Sequence, residues 1–226
     1  MKKFLAFTLA ETLIVIGVIG IVSALTLPNL NSSTGDKERV AKVKKIYQNL
    51  NDAFSRAQAV YGSHSEWFVN DGNDASKIAK RTGERITEFM KTSKTCGIST
   101  NQGCFTGGID NDAEIYKFIT ADGMSIAIRP DSTEYQHQIR IDIDGPTKGS
   151  LTSGLDYFMF NIENNNIVPK YYNDSFNDLV NHSYNGGLGA ATWIIRYDNA
   201  DYLQFTNNTG TCKNGNTVTE ANPRCK

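Results

Sequence analysis

The run Ala6-Phe7-Thr8-Leu9-Ala10-Glu11-Thr12-Leu13-Ile14-Val15-Ile16-Gly17-Val18-Ile19-Gly20-Ile21 governs how the rest of the chain is read. Lys2 and Lys3 precede it, and no charged residue occurs between Glu11 and Asp36. Leu13 to Leu27 are almost wholly apolar, so from Phe4 onward the stretch is long enough to cross a bilayer as a helix. Glu11 is lodged inside it. An ionised carboxylate in hydrocarbon costs a few kcal/mol, so such a residue is functional by default and expects a partner. Two plainer readings compete. An ordinary secretory signal would be cut at Val22-Ser23-Ala24, but Glu11 inside the apolar core argues against it. A plain single-pass anchor explains the apolar run and leaves the position of Glu11 without a reason. Charge alone does not orient the segment. Lys2 and Lys3 favour an inside N-terminus, yet residues 36–45 hold five Lys/Arg against two acidic residues on the other flank.

The same run resembles the N-terminus of type IV prepilins and type II secretion pseudopilins. In that family a short basic leader ends in a small residue, usually Gly, and a prepilin peptidase cuts before a Phe. The resemblance implies a leader over residues 1–6, a cut between Ala6 and Phe7, and N-methylation of Phe7; Ala6 stands where Gly is usual. Glu11 takes the place of the family's glutamate, and Gly17, Gly20 and Pro28 fall where pilin helices carry glycines and a proline. A hydrophobic transmembrane and filament-core helix over 7–30 and an extracytoplasmic pilin-like globular domain over 31–226 are expected to follow. Physical chemistry suits the assignment. Cleavage frees an α-amine at Phe7, and in a low-dielectric filament core that amine would pair with Glu11 of a neighbouring subunit. The pair would offset the burial of both charges and set the axial register. The partners implied are the prepilin peptidase, other pilin or pseudopilin subunits and the inner-membrane assembly platform. The implied location is the inner membrane, as a single-pass protein before assembly, then a cell-surface or periplasmic filament. A rival from another class is a membrane-tethered extracytoplasmic binding or adhesion protein that does not polymerise.

Downstream, Asn29 to Gly35 is polar and rich in helix breakers, and Asp36 is placed to cap a second helical run over 36–61. Its apolar positions, Val40, Val43, Tyr47, Leu50, Phe54, Ala57 and Tyr61, alternate in steps of three and four and draw one stripe along a helix. Lys37, Arg39, Lys42, Lys44 and Lys45 read as its solvated face. Residues 75–92 read as a shorter helix. Strands are expected at Ile115–Ala121, Met124–Arg129, Gln138–Ile143 and Tyr157–Asn161, and at Trp193–Tyr197 with Tyr202–Phe205. Asp122-Gly123 signals a tight hairpin, and the Asn-rich patches at Asn164 to Asn166 and Asn207-Asn208 read as turns. The fold class expected is α+β and pilin-like: a long N-terminal hydrophobic helix packed on an antiparallel β-sheet, with disulfide-closed loops.

The four cysteines, Cys96, Cys104, Cys212 and Cys225, lack the spacing of a zinc ribbon or a redox motif. Disulfides are the best reading, and they need an oxidising, extracytoplasmic setting. Three pairings are open, with chain proximity favouring Cys96–Cys104 and Cys212–Cys225. Asp142-Ile143-Asp144-Gly145-Pro146 followed by Gly154-Leu155-Asp156-Tyr157-Phe158 resembles a pattern of pilin-like proteins, and major pseudopilins hold calcium in a loop of their sheet. Asp142, Asp144 and Asp156 are therefore candidate calcium ligands, or else simply turn formers. No other cofactor is indicated. A net charge of −1 gives no nucleic-acid signal. The three histidines, His64, His137 and His182, are scattered, and no catalytic or nucleotide-binding motif occurs. Nothing in the sequence supports enzyme activity.

Overall fold

The stripe read over 36–61 belongs to a helix that begins much earlier. In the computed structural model, which describes residues 9–68, 74–130, 137–149 and 151–225, and only the backbone of 22–33, helix α1 spans Leu9–Tyr61. The expected processing residues Ala6 and Phe7 lie outside the described residues, as do the side chains of the second half of the expected 7–30 segment. Asp36 does not start a helix, because α1 continues through Pro28 and Gly35. Propagating an existing helix fixes fewer dihedrals per hydrogen bond than nucleating a new one, so α1 crosses Gly35 where a new helix would not start. It crosses Pro28 without the hydrogen bond that residue cannot donate. The chain divides into two units, residues 1–38 and 39–226, and α1 contributes to both.

In the second unit the α1 stripe is buried as its spacing requires: Val43, Leu50, Phe54 and Ala57 join Ile46 and Ala53 in the main core. Helix α2, Ala75–Thr87, is capped by Asp74, whose side chain accepts the Lys77 N–H. It ends earlier than the sequence suggests, because the chain turns at Glu88 to Met90 and enters β1, Thr92–Gly97. Then come β2 (Tyr116–Thr120), β3 (Ser125–Pro130), β4 (His137–Asp142), β5 (Tyr157–Glu163) and β6 (Asn166–Pro169). The six strands form one antiparallel sheet in chain order, each paired with the next. Register aligns Phe118, Ile126, Ile141 and Phe158 in one cross-strand row and Tyr116, Ile128, Ile139 and Phe160 in the next. Both rows are buried in the core that holds the α1 stripe. On the opposite face Ala127 packs with Phe105 and Ile115 from the segment that follows the first cysteine loop.

The expected strand at Trp193–Tyr197 is instead helix α4, Ala190–Tyr197, and Asp201–Gln204 is a 3-10 turn. A run this short has too little periodicity to separate strand from helix, and here Ala190 and Ala191 start a helix ahead of Trp193 and Ile194. Helix α3, Phe176–Tyr184, lies between β6 and α4.

Candidate functional site

The first unit carries the feature that most needs explaining. From Leu9 to Ile21 the large apolar side chains of α1 are 55–82% exposed, and Leu13, Ile14, Val15 and Ile16 follow one another without a break. At 100° per residue, four successive positions encircle a helix, so no polar side is left. Glu11 is exposed among them in the first turn. A Cβ added at Gly17 or Gly20 would meet nothing within 4 Å, so both backbones are open to close approach. Among the described residues no helix is long and apolar enough to cross a membrane; the described apolar part ends at Ile21, short of the roughly 20 residues a span requires.

The basic residues that follow are not a simple solvated face. Lys42 reaches Asp144 at 3.1 Å, Lys44 reaches Asp198 at 2.9 Å, and Lys45 reaches Asp122 at 2.8 Å. Arg39 donates from Nε to the Leu155 carbonyl at 2.7 Å. Four basic residues within two turns of α1 thus hold loops after β2, β4 and α4, and the turn before β5. Each exposed pair contributes at most about 1 kcal/mol. Their combined effect is to fix which loops face the helix.

Both disulfides pair as chain proximity favours, Cys96 with Cys104 and Cys212 with Cys225. Asp110 organises the first loop. Its carboxylate accepts the N–H groups of Gly103, Cys104 and Phe105 at 2.7–3.2 Å. Burial alone would raise its pKa, but those three donors and the Lys117 ammonium outweigh it and hold the carboxyl below the usual range. Lys117 is itself fully buried, donating to the Asp110 and Asp112 carbonyls, and burial pushes its pKa down. The C-terminal loop is tied down more firmly than its few apolar residues suggest. Cys225 N–H donates to Asp201 at 2.7 Å, and Asn199 donates to the Pro223 carbonyl while accepting from the Trp193 indole.

The three candidate calcium ligands are brought to one end of the sheet, and each carboxylate already has work. Asp142 is buried and accepts the Asp144 and Gly145 N–H groups, closing the turn after β4. Burial, opposed by those bonds and joined by the nearby Asp156 and Asp144 charges, raises its pKa. Asp144 pairs with Lys42 and, at 3.8 Å, with Lys148, while Asp156 accepts the Thr152 N–H. Gly145 has φ +77°, and a Cβ there would stand 2.3 Å from the Gly123 carbonyl, so the Asp-Gly pair serves close packing of two turns. Among the described residues no group of three His, Cys, Asp or Glu side chains is placed to hold a metal ion.

The histidines are less isolated than they look in the sequence. His182 Nδ1 lies 2.6 Å from Asp174, under the stacked Tyr171 ring, a pairing over eight residues that helical spacing does not announce. His64 and His137 pack edge to face at 4.8 Å within a buried aromatic cluster with Phe68. The described structure places no hydroxyl or thiol nucleophile within hydrogen-bond reach of the His182–Asp174 pair.

Comparison with known proteins adds no relative: no protein-family model, curated protein or solved structure matches the chain.

Proposed function

We propose that this chain is a structural subunit, a pilin or pseudopilin, of a type IV pilus or type II secretion-like filament, matured by a prepilin peptidase. The observation that carries the proposal is the helix surface from Leu9 to Ile21, apolar on all sides and exposed on all sides, with one carboxylate in its first turn. Covering a Leu, Ile or Val side chain contributes about 1.5–3 kcal/mol, so such a surface demands lipid or other helices around it. Both serve this reading in turn: lipid before assembly, neighbouring subunits after it. Gly17 and Gly20 allow neighbouring helix backbones to approach closely. In this scheme Glu11 is costly in lipid and is rewarded in the filament by the α-amine of a neighbour. The disulfides suit the extracytoplasmic setting.

Replacing Glu11 by Ala tests the scheme. Membrane insertion is expected to be unchanged or improved, while incorporation into filaments falls. Normal filament yield from Glu11→Ala would instead favour a solitary tethered protein. Calcium enters the proposal only if Lys42 releases Asp144. In that case chelation lowers the melting temperature of the wild type and Asp144→Ala removes the sensitivity; melting that ignores chelators leaves the aspartates as turn formers.

A further inference from the structure

Between α1 and the β5–β6 hairpin lies an open cleft of about 390 Å³, in the lower part of the size range of small-ligand sites. Two tyrosines, Tyr47 and Tyr172, and four asparagines, Asn51, Asn164, Asn166 and Asn173, are among the residues that line it. Its parts are held in place from outside. Tyr47 stacks on Phe160 with ring centres 5.6 Å apart. Arg196 donates to the Tyr172 carbonyl and lies 5.6 Å from its ring centre, yet Tyr172 stays 43% exposed. Asn164 and Asn165 form the hairpin turn with φ +49° and +61°, and Asn165 is anchored by Ser63, His64 and Gln58. Asn51 and Asn166 each spend one Nδ2 hydrogen on a backbone carbonyl, of Tyr47 and Asn164, at 2.9 Å. The Asn51 side chain also hydrogen-bonds the Tyr47 side chain, and Asn164, Asn166 and Asn173 are exposed at the mouth of the cleft.

We propose that this cleft binds a neutral saccharide. A carboxamide offers a donor and an acceptor side by side, which matches hydroxyl groups that are themselves both. Tyrosine rings present a negative face to the polarised C–H face of a sugar ring and a hydroxyl at their tip. No lysine or arginine lines the cleft, and its one carboxylate, Glu163, is engaged by Asn161 at 2.8 Å. An anionic ligand therefore has no counter-charge there. The ligand class is the same whether the sugar is free or part of a surface polysaccharide, and the inference holds for a subunit in a filament or a solitary one.

The test uses the full chain in a detergent without a sugar headgroup, titrated with cellohexaose, maltohexaose and chitohexaose while backbone amide signals are followed by NMR. At least one sugar is expected to bind saturably, with shifts concentrated at 164–168 and 172–173. Tyr172→Ala is expected to weaken that binding about tenfold with little change in melting, because its ring is exposed and its carbonyl bond to Arg196 survives. Asn166→Ala provides a second variant with the aromatic rings intact. The proposal is overturned if no sugar saturates, if the shifts lie elsewhere, or if both variants bind as the wild type does. Chitohexaose alone binding would assign N-acetylated sugars. Filament yield enters none of these readouts, so the result stands apart from the fate of the Glu11 test.

Discussion

His64 is buried against Phe54, Trp67, Phe68 and His137, and its Nε2 has no hydrogen-bond partner. Burial, with smaller contributions from His137 and Arg85, lowers its pKa to about 3. The unfolded chain titrates it near 6.5, so the folded state favours the neutral ring. Its contribution to stability is complete above about pH 6.5 and is lost as pH falls towards 3, at up to about 1.4 kcal/mol per pH unit. His64→Phe keeps the ring contacts and removes the proton site. Denaturant unfolding at neutral and mildly acidic pH is expected to show a shallower pH slope for the variant; equal slopes would refute the assignment. Asp142 acts in the opposite sense, because its raised pKa gives a contribution present at acid pH and lost as pH rises. Both proteins keep Asp142, so the comparison cancels it.

At the scale of elements, what was legible in the sequence follows from how much periodicity each segment carried. The α1 stripe runs for seven turn-spaced positions and was readable in full, as were β2 to β5, whose alternating or buried runs are flanked by turn residues. Strand β1, Thr92-Ser93-Lys94-Thr95-Cys96-Gly97, has no apolar alternation, since it is an edge strand paired only to β2. The four residues of β6 are fixed by the Asn164-Asn165 turn, so the turn was visible and the strand was not. In the candidate sites, the cysteine pairs were close enough in sequence to read, whereas Asp110, Lys117 and the Asp174–His182 pair depend on contacts that local spacing does not encode. The C-terminal loop offers a test at this scale. Replacing Cys212 and Cys225 by Ser is expected to cost about 2–3 kcal/mol in denaturant unfolding on the chain-entropy model. A loss near zero would mean that Asn199 and Asp201 hold the loop without the bridge.

For the molecule as a whole, the two units pose different solvation problems. Residues 39–226 bury their apolar rows between α1 and the sheet, and Lys42, Lys44 and Lys45 select the loops beside the helix. The described part of residues 1–38 leaves its apolar side chains uncovered. A secretory signal would resolve this by removing the segment, and a filament subunit by keeping it and covering it. The N-terminus of the mature protein separates these outcomes. Mass spectrometry of protein isolated from the envelope of cells that carry a prepilin peptidase is expected to find Phe7 as the first residue, N-methylated, with the apolar helix retained. A mature chain beginning at Leu25, or one that still begins at Met1, would contradict the account.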